Sequence, residues 1–375
     1  MLVSSRRFAD VLFFALSRSS TSGAVAMATA PRISDDATNY YDIVKEIGRG
    51  NFSTVYLATP KPGTPNAQNV QKVALKTCSA KDKQKLDVLR KEWAALSIGY
   101  HPSIIHAYEY YENSEKATIV MEFAANGSLM NFLQENTITE RQVASIMDQL
   151  LSALDYIHSN GFVHRDVKPH NILVRSSSPV QICLADFGLV KKCGNNGAWA
   201  RQNSAGDFGI MAPEVRDFME DQTPVTAEEY QKNDIYAAGV TMYYLMSGRA
   251  PFPEGVDCRL RPDYPWMNSD TVNFPNVSAN GINMLKQLMN LSNWERPTAS
   301  DALQEPWFVM ARQPSSNETS PFIPLSKQNS LSAAEEVGAA SPVLIRHQTD
   351  IPEMSFECTP STETMKAANS ELENA

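Results

Sequence analysis

The sequence predicts an α+β fold: a small strand-rich unit holding one helix, followed by a larger and mostly helical unit. Two observations carry this. Between Tyr40 and Phe123 short apolar or alternating runs recur, and only one stretch has helical periodicity. From Leu129 onward the apolar residues return at helical spacing. A folded domain over residues 39–310 is expected, with 39–123 in the first unit and 124–310 in a linking segment and the second unit.

Element by element, Ile43 to Ile47 and Ser53 to Ala58 read as strands, with Gly48-Arg49-Gly50-Asn51-Phe52-Ser53 as the turn between them. Val70 to Thr77 is a third strand-like run. Lys81 to Ile98 is helical and is broken by His101-Pro102. His106 to Tyr111 and Ala117 to Phe123 read as two more strands. In the second unit, Val143 to His158 places Ile146, Leu150, Leu151, Leu154 and Ile157 on one helical stripe, and Asn160-Gly161 ends it.

The composition is that of a globular protein. Its 375 residues can bury a sizeable core, and 43% hydrophobic content is ordinary. A net charge of −9 argues against a nucleic-acid binder, which would show a basic stripe. Cys78, Cys183, Cys193, Cys258 and Cys358 are odd in number, widely spaced and without a Cys-x-x-Cys pair, so reduced thiols are expected. No run approaches the ~18 apolar residues of a membrane span.

The flanks differ from the middle. Residues 1–38 are rich in Ser, Ala and Arg and are read as a disordered extension. Up to Ser34 the only acid is Asp10, and Phe8, Val11, Leu12 and Ala15 fall at helical spacing, which resembles a mitochondrial presequence. The alternative is an unstructured extension, with translation starting at Met27. A cytoplasmic location is expected, a mitochondrial one being the alternative. Residues 311–375 turn to Ser, Thr, Pro, Glu and Asn and are expected to be disordered.

Three motifs carry the chemistry: His164-Arg165-Asp166-Val167-Lys168-Pro169-His170-Asn171, then Asp186-Phe187-Gly188, then Ala212-Pro213-Glu214. In this order and at these intervals they resemble the catalytic loop, metal-binding loop and activation-segment end of the eukaryotic protein kinases, Ser/Thr branch. That resemblance implies a two-lobed fold with a β-rich N-lobe and a helical C-lobe. It also implies ATP as substrate and Mg²⁺ as cofactor, with Mn²⁺ as a substitute.

Carried onto this chain, the resemblance makes Asp166 the acceptor or orienter of the substrate hydroxyl proton and Lys168 a cation near the γ-phosphoryl group. Asn171 and Asp186 become the metal ligands. The run Ile47-Gly48-Arg49-Gly50-Asn51-Phe52-Ser53-Thr54-Val55 would cover the phosphates, Gly48 and Gly50 letting the backbone pass close to them and adopting dihedrals barred to other residues. Ser53 stands where the family has a third Gly. Lys76 in Val73-Ala74-Leu75-Lys76 would contact the α- and β-phosphates and needs a carboxylate partner, for which Glu92 is chosen over Glu109 and Glu115. Glu122 and Ala124 belong to the hinge, whose backbone would read the adenine edge, with Met121 behind it. Asp234 would brace the catalytic loop, and Arg296 would pair with Glu214.

Lys168 favours Ser/Thr over Tyr as acceptor. Ser128 and His170 replace acids found in kinases that prefer basic substrates. Arg165 implies control by an activation-loop phosphate, and Ser204 is the candidate acceptor for an upstream kinase or for autophosphorylation. Asp207 stands where the family has Thr. It would either pair with Lys168 or repel Asp166, and Asp207→Thr is expected to raise the rate. The protein substrate is not specified by these residues. The rival reading is a pseudokinase scaffold, but Lys76, Asp166 and Asp186, the residues such proteins lose, are all here.

Overall fold

Strand signals in the first unit fold into one antiparallel sheet extended at one edge by a short parallel strand. The computed structural model describes residues 30–64, 70–193, 210–215, 226–251, 274 and 277–312. Its first elements are β1 (Arg32–Ile33), β2 (Tyr41–Arg49), β3 (Thr54–Pro60), β4 (Val73–Ser79), helix α1 (Lys83–Leu96), β5 (Ala107–Glu112) and β6 (Lys116–Glu122). The strand order is β1-β5-β6-β4-β3-β2. Asp82 starts α1 by accepting from the backbone N–H groups of Gln84 and Lys85, an N-cap worth about 1 kcal/mol. Leu86, Leu89, Trp93 and Leu96 then point one face of α1 into the core, where Trp93 packs on Tyr110 of β5. Across the same interface Arg90 pairs with Glu112.

Arg32 and Ile33 add a short strand to this sheet ahead of residue 39. Arg32 and Ile33 pair in parallel with Tyr111 and Glu112. The Arg32 guanidinium lies 3.1 Å from Glu109 and over the rings of Tyr40 and Tyr111. Glu109 is fully buried and also accepts from the hydroxyls of Tyr41 (2.7 Å) and Tyr111 (2.8 Å). A buried carboxylate demands such partners. Asp36 caps a 3-10 turn at Ala37–Asn39 and meets Lys116 at 3.1 Å. At the other end Arg312 pairs with Asp148.

The second unit contains α2 (Leu129–Glu135), α3 (Glu140–Ser159), β7 (Phe162–Val163), β8 (Ile172–Ser177), β9 (Val180–Leu184), β10 (Lys191–Lys192), α4 (Ala227–Ser247), α5 (Ala279–Leu288), α6 (Ala299–Ala302) and α7 (Val309–Arg312). Capping boxes begin both long helices, Thr139 with Gln142 and Thr226 with Glu229. The predicted stripe of α3 is buried throughout, and α4 is buried on nearly every side. At Gly239 a Cβ would sit 2.5 Å from Met289 and 2.9 Å from Leu288, so only Gly lets α4 pass the end of α5 this closely. Pairs β7–β10 and β8–β9 frame the loops that carry the motif residues. Among the described residues no helix is long and apolar enough to cross a membrane.

Candidate active site

The loop between β7 and β8 is held from below by one buried carboxylate. Asp234, in α4, accepts from the backbone N–H groups of His164 and Arg165, each at 2.8 Å, and lies 2.9 Å from His158 Nε2. Arg165 adopts φ 69°, a left-handed conformation that costs energy outside Gly and marks an over-determined loop. His164 is fully buried, and burial pushes its pKa down, so the ring is neutral near pH 7. Its Nδ1 accepts from the Asp166 N–H (3.3 Å), which leaves the proton on Nε2 to donate to the Ala185 carbonyl (3.1 Å). The ring also packs edge-on against Phe187. His164 thereby ties the Asp166 loop to the Asp186 loop.

On this platform Asp166, Lys168 and Asn171 come together. The Asn171 amide donates to the Asp166 carbonyl at 2.9 Å and to its carboxylate at 2.6 Å. Lys168 Nζ lies 3.0 Å from the other carboxylate oxygen. Asp166 and Asn171 are buried, whereas Lys168 remains partly accessible.

Lys76 reaches from the sheet to the Asp186 loop. It sits in β4 between Val55 of β3 and Ile119 of β6. Its ammonium lies 2.7 Å from Glu92 in α1 and 2.7 Å from Asp186. Burial alone would lower the pKa of Lys76, but the Glu92 and Asp186 carboxylates reverse this and raise it. In turn, the Lys76 charge pulls the Asp186 carboxyl down to about 2 despite its desolvation. Asp186 is held at φ 57°, and its side chain is about half exposed, at 51%. Glu109 and Glu115 take no part in this cluster: Glu109 pairs with Arg32, and Glu115 with Lys81.

The glycine turn differs from expectation. Gly48 and Arg49 remain paired in the sheet with Val55 and Thr54, so the turn proper is only Gly50 to Ser53, closed by the Gly50 N–H on the Ser53 carbonyl at 2.9 Å. Neither Gly48 nor Gly50 has positive φ, so the unusual dihedrals expected there are corrected. A Cβ there would meet nothing nearer than 3.9 Å, so both leave open space above the strand. Ile47 is 41% exposed, and Arg49 pairs with Glu46. Asn51 is exposed, and Phe52, Ser53, Thr54 and Val55 are partly so.

In the hinge, Met121 and Ala124 are buried and Glu122 ends β6. The sequence reading valued Glu122 only for its backbone and missed its side chain, which Arg175 of β8 grips. Nothing in the local sequence marks Arg175; only the fold brings it there. Further down, Glu214 and Arg296 form a two-pronged pair at 2.7 and 3.2 Å, with Arg296 fully buried. His170 is exposed, and Ser128 caps α2. Ser204 and Asp207 lie outside the described residues.

A β-rich unit over a helical one, with a buried lysine–glutamate pair above and an Asp-Lys-Asn cluster below, defines a protein built to hold a phosphorylated nucleotide. The comparisons specify the family. Residues 41–308 match the protein kinase domain, and the chain belongs to that family, in its Ser/Thr branch. It is 30% identical over 288 residues to a probable myosin light chain kinase of Dictyostelium discoideum, covering 75% of this chain and 86% of that one. Serine/threonine-protein kinase cds1 of Schizosaccharomyces pombe is 28% identical over 72% of this chain. The calcium/calmodulin-dependent protein kinase type II alpha chain of Drosophila melanogaster is 31% identical over 75% of it. The chain spans 58% and 51% of the length of these last two.

Proposed function

We propose that this chain is an active serine/threonine protein kinase that transfers the γ-phosphate of ATP to a Ser or Thr hydroxyl of a protein. The observation that carries this is the double contact of Lys76, 2.7 Å from both Glu92 and Asp186. It supports the reading because α1 is docked through Glu92 and Lys76 is joined to Asp186, an arrangement a scaffold has no need to keep.

Each group then has a task. Lys76 holds the α- and β-phosphates, Glu92 keeping its ammonium in place. Asp166 orients the acceptor hydroxyl and takes its proton, and Lys168 offsets charge developing on the transferred group. Asp186 and Asn171 supply hard oxygen ligands suited to Mg²⁺, with Mn²⁺ as a substitute. Because the Asn171 NH₂ is committed to Asp166, its Oδ1 would be the atom left to hold a metal. Mg²⁺ when bound neutralises phosphate charge. Ser53 fits the turn without loss, since its contribution there is a backbone carbonyl.

Ser204 as a phosphate acceptor, Asp207 as a brake on turnover and a cytoplasmic site of action belong to this proposal as well. Its test is incubation of the purified chain with γ-labelled ATP, Mg²⁺ and a Ser/Thr/Tyr peptide library. Label on Ser or Thr peptides is expected. Label on Tyr peptides alone, or none under any condition that supports nucleotide binding, would refute it.

A further inference from the structure

Arg175 lies where the β8–β9 ladder loses register between Val174 and Ser176. Such a bulge re-aims a side chain that would otherwise follow the alternation of the strand. Here it directs the guanidinium out of its own hairpin and up to the hinge. Nε donates to the Glu122 carboxylate at 3.0 and 3.2 Å, and a second nitrogen closes a fork on the same group. The remaining donors reach the carbonyls of Ile104 (2.9 Å) and Pro102, in the turn that follows α1. One side chain thus joins the strand that leaves Asn171, the first residue of the hinge and the turn behind the Glu92 helix.

The neighbouring backbone reinforces each junction. Glu122 also accepts the His106 N–H at 2.8 Å, and its own N–H returns to the His106 carbonyl. Ser103 and Ile105 exchange hydrogen bonds with Leu184, both at 2.9 Å. The Arg175 carbonyl accepts from Asn126, and the Val174 N–H reaches Gly127. Both charged side chains are about four-fifths buried, at 22% and 20% exposure, where a forked pair is least screened.

We infer that Arg175 is a positioning residue for nucleotide binding: by clamping Glu122 it fixes the hinge backbone against which the adenine edge docks. This rests on the kinase reading above. The clamp touches neither Asp166 nor Lys76, so it governs how well ATP is held and leaves the transfer step alone. Its loss frees the hinge at a cost in affinity, because ordering must then accompany binding.

The test is titration of the full chain with a fluorescent ATP analogue, followed by steady-state kinetics, for the intact protein, Arg175→Met and Arg175→Lys. Melting curves accompany each. Arg175→Met is expected to raise the nucleotide Kd and the KM for ATP about tenfold, equivalent to about 1.4 kcal/mol. Turnover at saturating ATP should stay within about threefold, and Arg175→Lys, which keeps the charge without the fork, should fall between. If Arg175→Met fails to fold, Arg175→Lys must show the same split in smaller measure. An unchanged Kd in a folded variant, or lower turnover at unchanged Kd, overturns the inference alone. Failure of the intact chain to bind nucleotide would overturn the kinase reading and this inference with it.

Discussion

Asn171 donates twice to Asp166, once to its backbone carbonyl and once to its carboxylate, so one amide sets both where the proposed base sits and which way it faces. Replacing Asn171 with Asp would keep an oxygen ligand for a metal but remove the donor and place a second negative charge beside Asp166. The two carboxylates would repel one another, and the donor that orients Asp166 would be gone. Asn171→Asp is expected to lower kcat by roughly 10²-fold or more, the scale of general-base catalysis, and to lower the melting temperature as well, since two buried hydrogen bonds are lost. Steady-state kinetics beside a thermal melt check this.

Lys76 supports two carboxylates, so its removal is expected to be felt at both. Lys76→Met should cut kcat/KM by roughly 10²-fold through loss of a preorganised charge. It should also let the Asp186 carboxyl rise from about 2 toward the ordinary value near 4. Carbon-detected NMR titration of the side chain reads that shift. Glu92→Ala should reproduce the kinetic defect and leave Asp186 low, since Lys76 remains beside it.

Acid should destabilise the fold through histidine before it reaches the carboxylates. Burial lowers the pKa of His164, His101 and His106 below their unfolded value near 6.5. Below that pH the unfolded chain binds more protons than the folded one, so stability falls as pH falls. Asp186, ionised down to about 2, contributes nothing to this window. The melting temperature should therefore drop between pH 7.5 and 5.5, and a flat or rising trend would contradict the account.

The N-terminal strap should carry measurable stability. A 39–310 fragment lacks Arg32, whose guanidinium lies 3.1 Å from the buried Glu109, and it also loses β1. A loss of about 2 kcal/mol is expected. For a domain of this size that is roughly 4–8 °C in Tm relative to a 30–312 fragment. Arg32→Met in the longer fragment should reproduce much of this loss.

The long helices and central strands were legible because their burial follows simple periods, as in the stripe of α3. The Asp166, Lys168 and Asn171 cluster was legible because its members are neighbours in sequence. Glu92 could be chosen from its place in a helix, and it does meet Lys76. What escaped had no local signature. Two residues of strand at Arg32 have no period to detect, and the partner of Arg32 lies 77 positions away. Arg175 gains its role from a register shift that sequence alternation cannot show. Gly48 and Gly50 were assigned unusual dihedrals, whereas the fold uses them for the open space beside a paired strand.

The most direct test of the central claim is a comparison of the intact chain with Asp166→Asn. The change removes a proton acceptor while keeping the shape and the contact to Asn171. Nucleotide affinity should remain within about twofold, while γ-phosphate transfer to a Ser/Thr peptide falls by roughly 10²–10⁴-fold. Transfer at the intact rate by a folded Asp166→Asn protein would contradict the account.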